Sequence, residues 1–115
     1  MSTTANALAR QNCQAPPAGS KPLEPADCEA LAAALDGWRV ENGSRLQKEF
    51  ATQNFRDTMA FANRIAEIAE REDHHPDLQL SYRRLCVVLT THSVGGLSRN
   101  DFILAAKIDQ AHSQK

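Results

Sequence analysis

Three of the four histidines in this 115-residue chain fall within residues 70–93: His74 and His75 are adjacent, and His92 lies seventeen residues further on, with Glu70 just upstream of the pair. An imidazole with an unperturbed pKa near 6.5 can give or take a proton around neutrality. A neighbouring carboxylate can hold such a ring in one tautomer and favour its charged form. Other uses of the same residues must be weighed. Three histidines and a glutamate are plausible zinc or iron ligands, but adjacent side chains diverge and the helical spacing HxxxH is absent. Nucleophilic catalysis has less support, because no Ser or Cys sits in a recognisable elbow and Cys86 falls within an expected strand without an activating neighbour. Taken singly, each ring could cap a helix end or satisfy local backbone. Clustering favours proton chemistry.

The flanking elements explain how such a cluster is held. From Asn54, a good N-cap, the apolar positions Phe55, Met59, Ala62, Ala66 and Ala69 recur at helical spacing, with Phe61, Ile65 and Ile68 widening the stripe. This long helix should end near Asp73, because Pro76 disfavours helical geometry at His75. The His74-His75 pair then sits on a bend where a rigid element has just stopped. Residues 78–82 and 85–91 read as strands, which puts His92 at or just past a strand end. Upstream, Pro25, Asp27 and Gly37 bound a helix over about residues 25–35. Asn42-Gly43 supplies the positive φ angles of a hairpin turn between strands at Trp38–Val40 and Leu46–Phe50. After a glycine turn, Ser98 and Asp101 form a capping-box pattern that opens a last helix to about Gln110. The order αββαββα, with hairpins rather than βαβ crossovers, predicts an α+β fold: a four-stranded antiparallel sheet with helices packed on one face.

Composition sets the outer limits. One domain is expected from this length and a 42% hydrophobic content. Residues 1–22 carry three prolines, no acidic groups and no periodicity, so they read as a disordered tail ahead of a domain over 23–115. With 13 basic and 14 acidic side chains, net −1, the chain has no basic field for nucleic acid or for a membrane surface. No run is long enough for a transmembrane span, and the N-terminus lacks the apolar core of a secretory signal. Cys13, Cys28 and Cys86 are odd in number and without CxxC spacing. They are expected as free thiols, Cys86 buried in its strand, in a reducing cytoplasm.

The pattern of Glu70, His74-His75-Pro76, Tyr82, Thr91-His92, Gly96-Leu97 and Asp101 resembles the signature of the pterin-4a-carbinolamine dehydratases. The similarity runs from about Leu23 to Gln110 and includes the Gly37-Trp38 pair that begins the first strand. The resemblance implies the same αββαββα order. It also implies a pterin substrate, a 4a-hydroxytetrahydropterin delivered by aromatic amino-acid hydroxylases and dehydrated to the quinonoid dihydropterin without a metal or organic cofactor. By the same match His74, His75 and His92 are the active-site histidines, Glu70 is the acid beside them, and Pro76, Thr91, Ser93 and Val94 line the pocket. Asp101 matches too, although its capping-box position points to a structural role. The reaction needs one group to protonate the departing C4a hydroxyl and another to accept the N5 proton. His74 and His92, from different elements, are expected at the oxygen, and His75 is expected to orient the ring and take the N5 proton. Relatives of this family act as homodimers or homotetramers. Some are implied to be non-catalytic partners, as a transcriptional coactivator or in Rubisco assembly, and loss of the histidines would favour that role. All three are present.

Overall fold

The computed structural model describes residues 3–113. Its elements run α1 (Thr3–Arg10), α2 (Pro25–Ala34), β1 (Arg39–Glu41), β2 (Arg45–Ala51), α3 (Phe55–Glu72), β3 (Asp77–Ser81), β4 (Arg84–Leu89), a 3₁₀ turn (His92–Val94) and α4 (Arg99–Ser113). From α2 onward this is the expected αββαββα order. The strands form one antiparallel sheet in the order β1-β2-β4-β3. Pairing of Leu46 with Leu89, Phe50 with Leu85, and Leu78 with Val87 puts their side chains on one face. Leu46, Phe50, Leu85, Val87 and Leu89 are buried there, beneath the helices, with Phe61 and Ile65 of α3 and Phe102, Leu104 and Ile108 of α4.

Local chemistry accounts for the boundaries. Asn42 and Gly43 have φ of 54° and 66° at the centre of a turn that the Ser44 N–H closes on the Glu41 carbonyl at 3.1 Å, within a three-residue loop between the paired Glu41 and Arg45. The Asn54 side chain accepts the Asp57 N–H at 2.8 Å and opens α3. That helix closes on Asp73, which takes the left-handed conformation at φ 53° and sends its N–H to the Ala69 carbonyl. Pro25 starts α2 from within its first turn. At α4 the capping box is half formed: the Asp101 carboxylate accepts the Ser98 N–H at 2.9 Å, whereas the Ser98 hydroxyl pairs with Thr91.

Three expectations are corrected. The disordered tail over residues 1–22 is instead a docked segment across its described part. Ala5, Leu8 and Ala9 of α1 are buried against α4 and α2, and Lys107 donates to the Ala9 carbonyl at 2.8 Å. Leu8 supplies the buried bulk, and Ala5 and Ala9 beside it on the same face let the helices approach closely, so a single large apolar residue suffices where composition registers little. The buried face of α3 is also rotated from the expected stripe. Thr58, Phe61, Ala62, Ile65, Ile68, Ala69 and Glu72 face inward, while Phe55, Met59 and Ala66 are exposed, because the large Phe61 and Ile65 set which side meets the sheet. Finally, Cys28 is the buried thiol, and Cys86 lies half-buried on the sheet's outer face.

Candidate active site

The end of α3, the end of β4 and the start of α4 converge on one cavity of about 600 Å³, lined by His74, His75, Thr91, His92 and Ser93 among others. That volume falls within the roughly 300–1,000 Å³ of small-molecule sites. His74 and His75 follow the left-handed Asp73 directly, so the chain turns them off the helix axis. The His74 N–H bonds the Ala69 carbonyl at 3.2 Å and fixes the bend. His92 opens the 3₁₀ turn after β4, which is closed by Gly95 at φ 73° and by the Thr91–Gly96 bridge. Both sets of imidazoles therefore stand on tight turns next to rigid elements.

The two adjacent rings have different surroundings. His74 Nε2 lies 2.6 Å from Oδ1 of Asp101, whose side chain is fully buried while that of His74 is 12% exposed. Oδ2 of Asp101 accepts the Thr91 hydroxyl at 2.8 Å and the Ser98 N–H at 2.9 Å. An ionised carboxylate only accepts, so it holds the His74 proton on Nε2 and leaves Nδ1 as the ring's second site. His75 Nε2 lies 2.5 Å from Oε2 of Glu70, but both side chains are more than half exposed. Water and salt weaken that pair, so the buried partnership orients its ring more firmly.

The expected site residues divide accordingly. His74, His75, Thr91, His92 and Ser93 share the cavity; Glu70 reaches it only through His75; Pro76 is half-buried outside the lining, and Val94 is buried outside it. Asp101 does more than cap α4, since the same carboxylate also holds His74. Two buried side chains went unnoticed in the sequence. Glu72 accepts the Cys13 N–H at 2.8 Å, and Asn100 bonds both the N–H and the carbonyl of Gln14, at 3.0 and 2.7 Å. Glu72 was readable in principle: a carboxylate at the end of the Thr58–Phe61–Ile65–Ile68 face is a charge on a buried stripe. Burial, and then the nearby Glu72 carboxylate, push the Cys13 thiol up to about 12. Among the described residues, no group of three or more His, Cys, Asp or Glu side chains is placed to hold a metal ion, and no helix is long and apolar enough to cross a membrane.

Fold and site together define a small α+β domain that presents histidines, one of them backed by a buried carboxylate, to a ligand-sized cavity. Residues 21–111 match the model of the pterin 4 alpha carbinolamine dehydratase family. A chain from Nitrosospira multiformis, provisionally named as such a dehydratase, is 46% identical over 109 residues, covering 95% of this chain and 96% of the relative. One from Hydrogenovibrio crunogenus with the same provisional name is 43% identical over 108 residues, 93% and 96% of the two chains. The crystal structure of a transcriptional coactivator/pterin dehydratase from Brucella melitensis aligns with a TM-score of 0.75 at 30% identity, covering 79% of this chain and 98% of that one. A pterin dehydratase-like RuBisCO assembly factor of the alpha-carboxysome shares the fold at TM-score 0.59 and 21% identity, over 69% and 93% of the chains. This chain belongs to the pterin-4α-carbinolamine dehydratase family.

Proposed function

We propose that this protein dehydrates a 4a-hydroxytetrahydropterin to the quinonoid dihydropterin and water, in the cytoplasm, in recycling linked to an aromatic amino-acid hydroxylase. The observation that carries the reading is the convergence of His74, held by Asp101 at 2.6 Å, with His75 and His92 on one cavity. The C4a–O bond breaks as the N5 lone pair forms the C=N bond. One protonated imidazole delivers a proton to the leaving hydroxyl, and a neutral one takes the proton from N5, so the pair of rings returns to its starting charge after one exchange with solvent. His74 and His92 are assigned to the oxygen; His75, less tightly held, is assigned to ring orientation and the N5 proton. Glu70 orients the His75 ring through its contact with Nε2. No metal or organic cofactor takes part, and the working form is a homodimer or homotetramer.

The test is to generate the 4a-hydroxy compound with a hydroxylase and follow its loss with and without this protein. Acceleration that drops by about 10²-fold or more in the His74→Ala/His75→Ala double variant, with circular dichroism unchanged, supports the assignment. No acceleration by the parent protein moves the reading to a non-catalytic assembly or dimerisation partner.

A further inference from the structure

The cavity has a wall that comes from outside the histidine-bearing elements. Cys13, Gln14, Ala15 and Pro16, in the irregular stretch between α1 and α2, line it together with His74, His75 and His92. The same residues, Cys13 excepted, also border a second cavity of about 460 Å³ on Ile103 and Arg99, so this stretch is a thin partition with space on two sides. Cys13 is half-buried against the core, and the rest of what holds the stretch is polar and specific. Asn100, 7% exposed, forms a two-point clamp on the peptide groups of Gln14, and Glu72, 9% exposed, accepts the Cys13 N–H. Lys107 anchors the preceding turn through the Ala9 carbonyl, with its ammonium 3.9 Å from Glu72.

The two clamps sit next to the groups that aim the imidazoles. Asn100 immediately precedes Asp101, the partner of His74, in the first turn of α4, and Glu72 is two residues before His74 at the end of α3. The same two helix ends therefore fix both the histidines and the partition. Burying two polar side chains against a backbone segment costs desolvation that their hydrogen bonds to it offset, so the segment's position is closely specified. We infer that residues 13–16 are a substrate-positioning wall of this site, held by Asn100 and Glu72, against which the pterin is placed for the histidines. This rests on the proposed dehydratase reading and adds to it a group of residues outside the histidine signature.

A wall acts on binding more than on proton transfer. Asn100→Ala removes both bonds to Gln14, and the expected result is a KM raised by about tenfold with kcat within about twofold of the parent. Weaker binding of a stable dihydropterin, followed by fluorescence quenching, should match the KM change. A merely structural role for Asn100 would lower the unfolding midpoint without this split. Because that variant could fail to fold, hydrogen exchange of the parent protein with and without the dihydropterin is the second measurement: amides of residues 13–16 should gain protection on binding. Binding to the parent with no change at these amides overturns the wall alone. So does an Asn100→Ala variant that keeps the parent KM. A parent protein that neither binds the dihydropterin nor accelerates dehydration overturns the dehydratase reading and the wall with it.

Discussion

A single carboxylate, Asp101, links the chemistry to the fold. It is fully buried and meets three donors: the His74 ring, the Thr91 hydroxyl and the Ser98 N–H. In Asp101→Asn the amide nitrogen must face one of these donors. The expected loss is about 1–3 kcal/mol of stability in urea unfolding, together with a fall in kcat of about 10²-fold as His74 loses its fixed tautomer. A second residue-scale prediction concerns Cys13. Its folded-state thiol is raised from 9.0 to about 12, first by burial and then by Glu72. A group whose folded pKa lies above its unfolded value stabilises the fold fully below the unfolded pKa and loses that contribution as pH rises towards the folded one. The urea midpoint should therefore decline from about pH 9 upward, and less steeply in Cys13→Ala. Burial raises Cys28 in the same direction, so the variant reduces the decline without abolishing it. In the native state Cys13 should also alkylate far more slowly at pH 8 than in the unfolded chain.

Helix ends are where the elements deliver their side chains. α3 carries an N-cap at Asn54 and a left-handed C-cap at Asp73, and the second aims His74 and His75. Asn54→Ala should cost about 1 kcal/mol by thermal or urea unfolding, while Asn54→Ser should be close to neutral. Neither lies near the cavity, so the KM of both should equal that of the parent. β4 plays the matching part on the other side of the site. Its inner residues Leu85, Val87 and Leu89 are fully buried, and the turn after it carries His92. The histidines sit on hydrogen-bonded bends bounded by well-packed elements.

Across the whole molecule the N-terminal segment is part of the domain. Leu8 is fully buried against the rest of the core. Leu8→Ala should destabilise the protein by about 2–5 kcal/mol, read from the urea midpoint, although the sequence alone reads the segment as a disordered tail. The far end of the molecule is tied by a different network. Asp109 accepts from the Trp38 indole at 3.0 Å and from Lys48 at 2.9 Å, which joins α4 to the first hairpin. Burial raises the Asp109 carboxyl, and Lys48 and then Trp38 oppose that shift. The bond to Asp109 fixes Trp38, just ahead of β1, in the fold.

What the sequence determined by itself was local. The Asn42-Gly43 turn, the Asn54 cap and the stop before Pro76 act over a few residues, and each yields the observed element with small shifts in its ends. The histidine cluster was legible for the same reason, since the chain places those residues close together along its length or at element ends. Tertiary structure decided what joins distant residues. The His74–Asp101, Cys13–Glu72 and Gln14–Asn100 bonds span 27, 59 and 86 residues. Neither periodicity nor composition carries information over such separations. Docking of α1 was invisible because one leucine flanked by two alanines is a weak local signal, and their fit becomes apparent only when α4 is present to receive it.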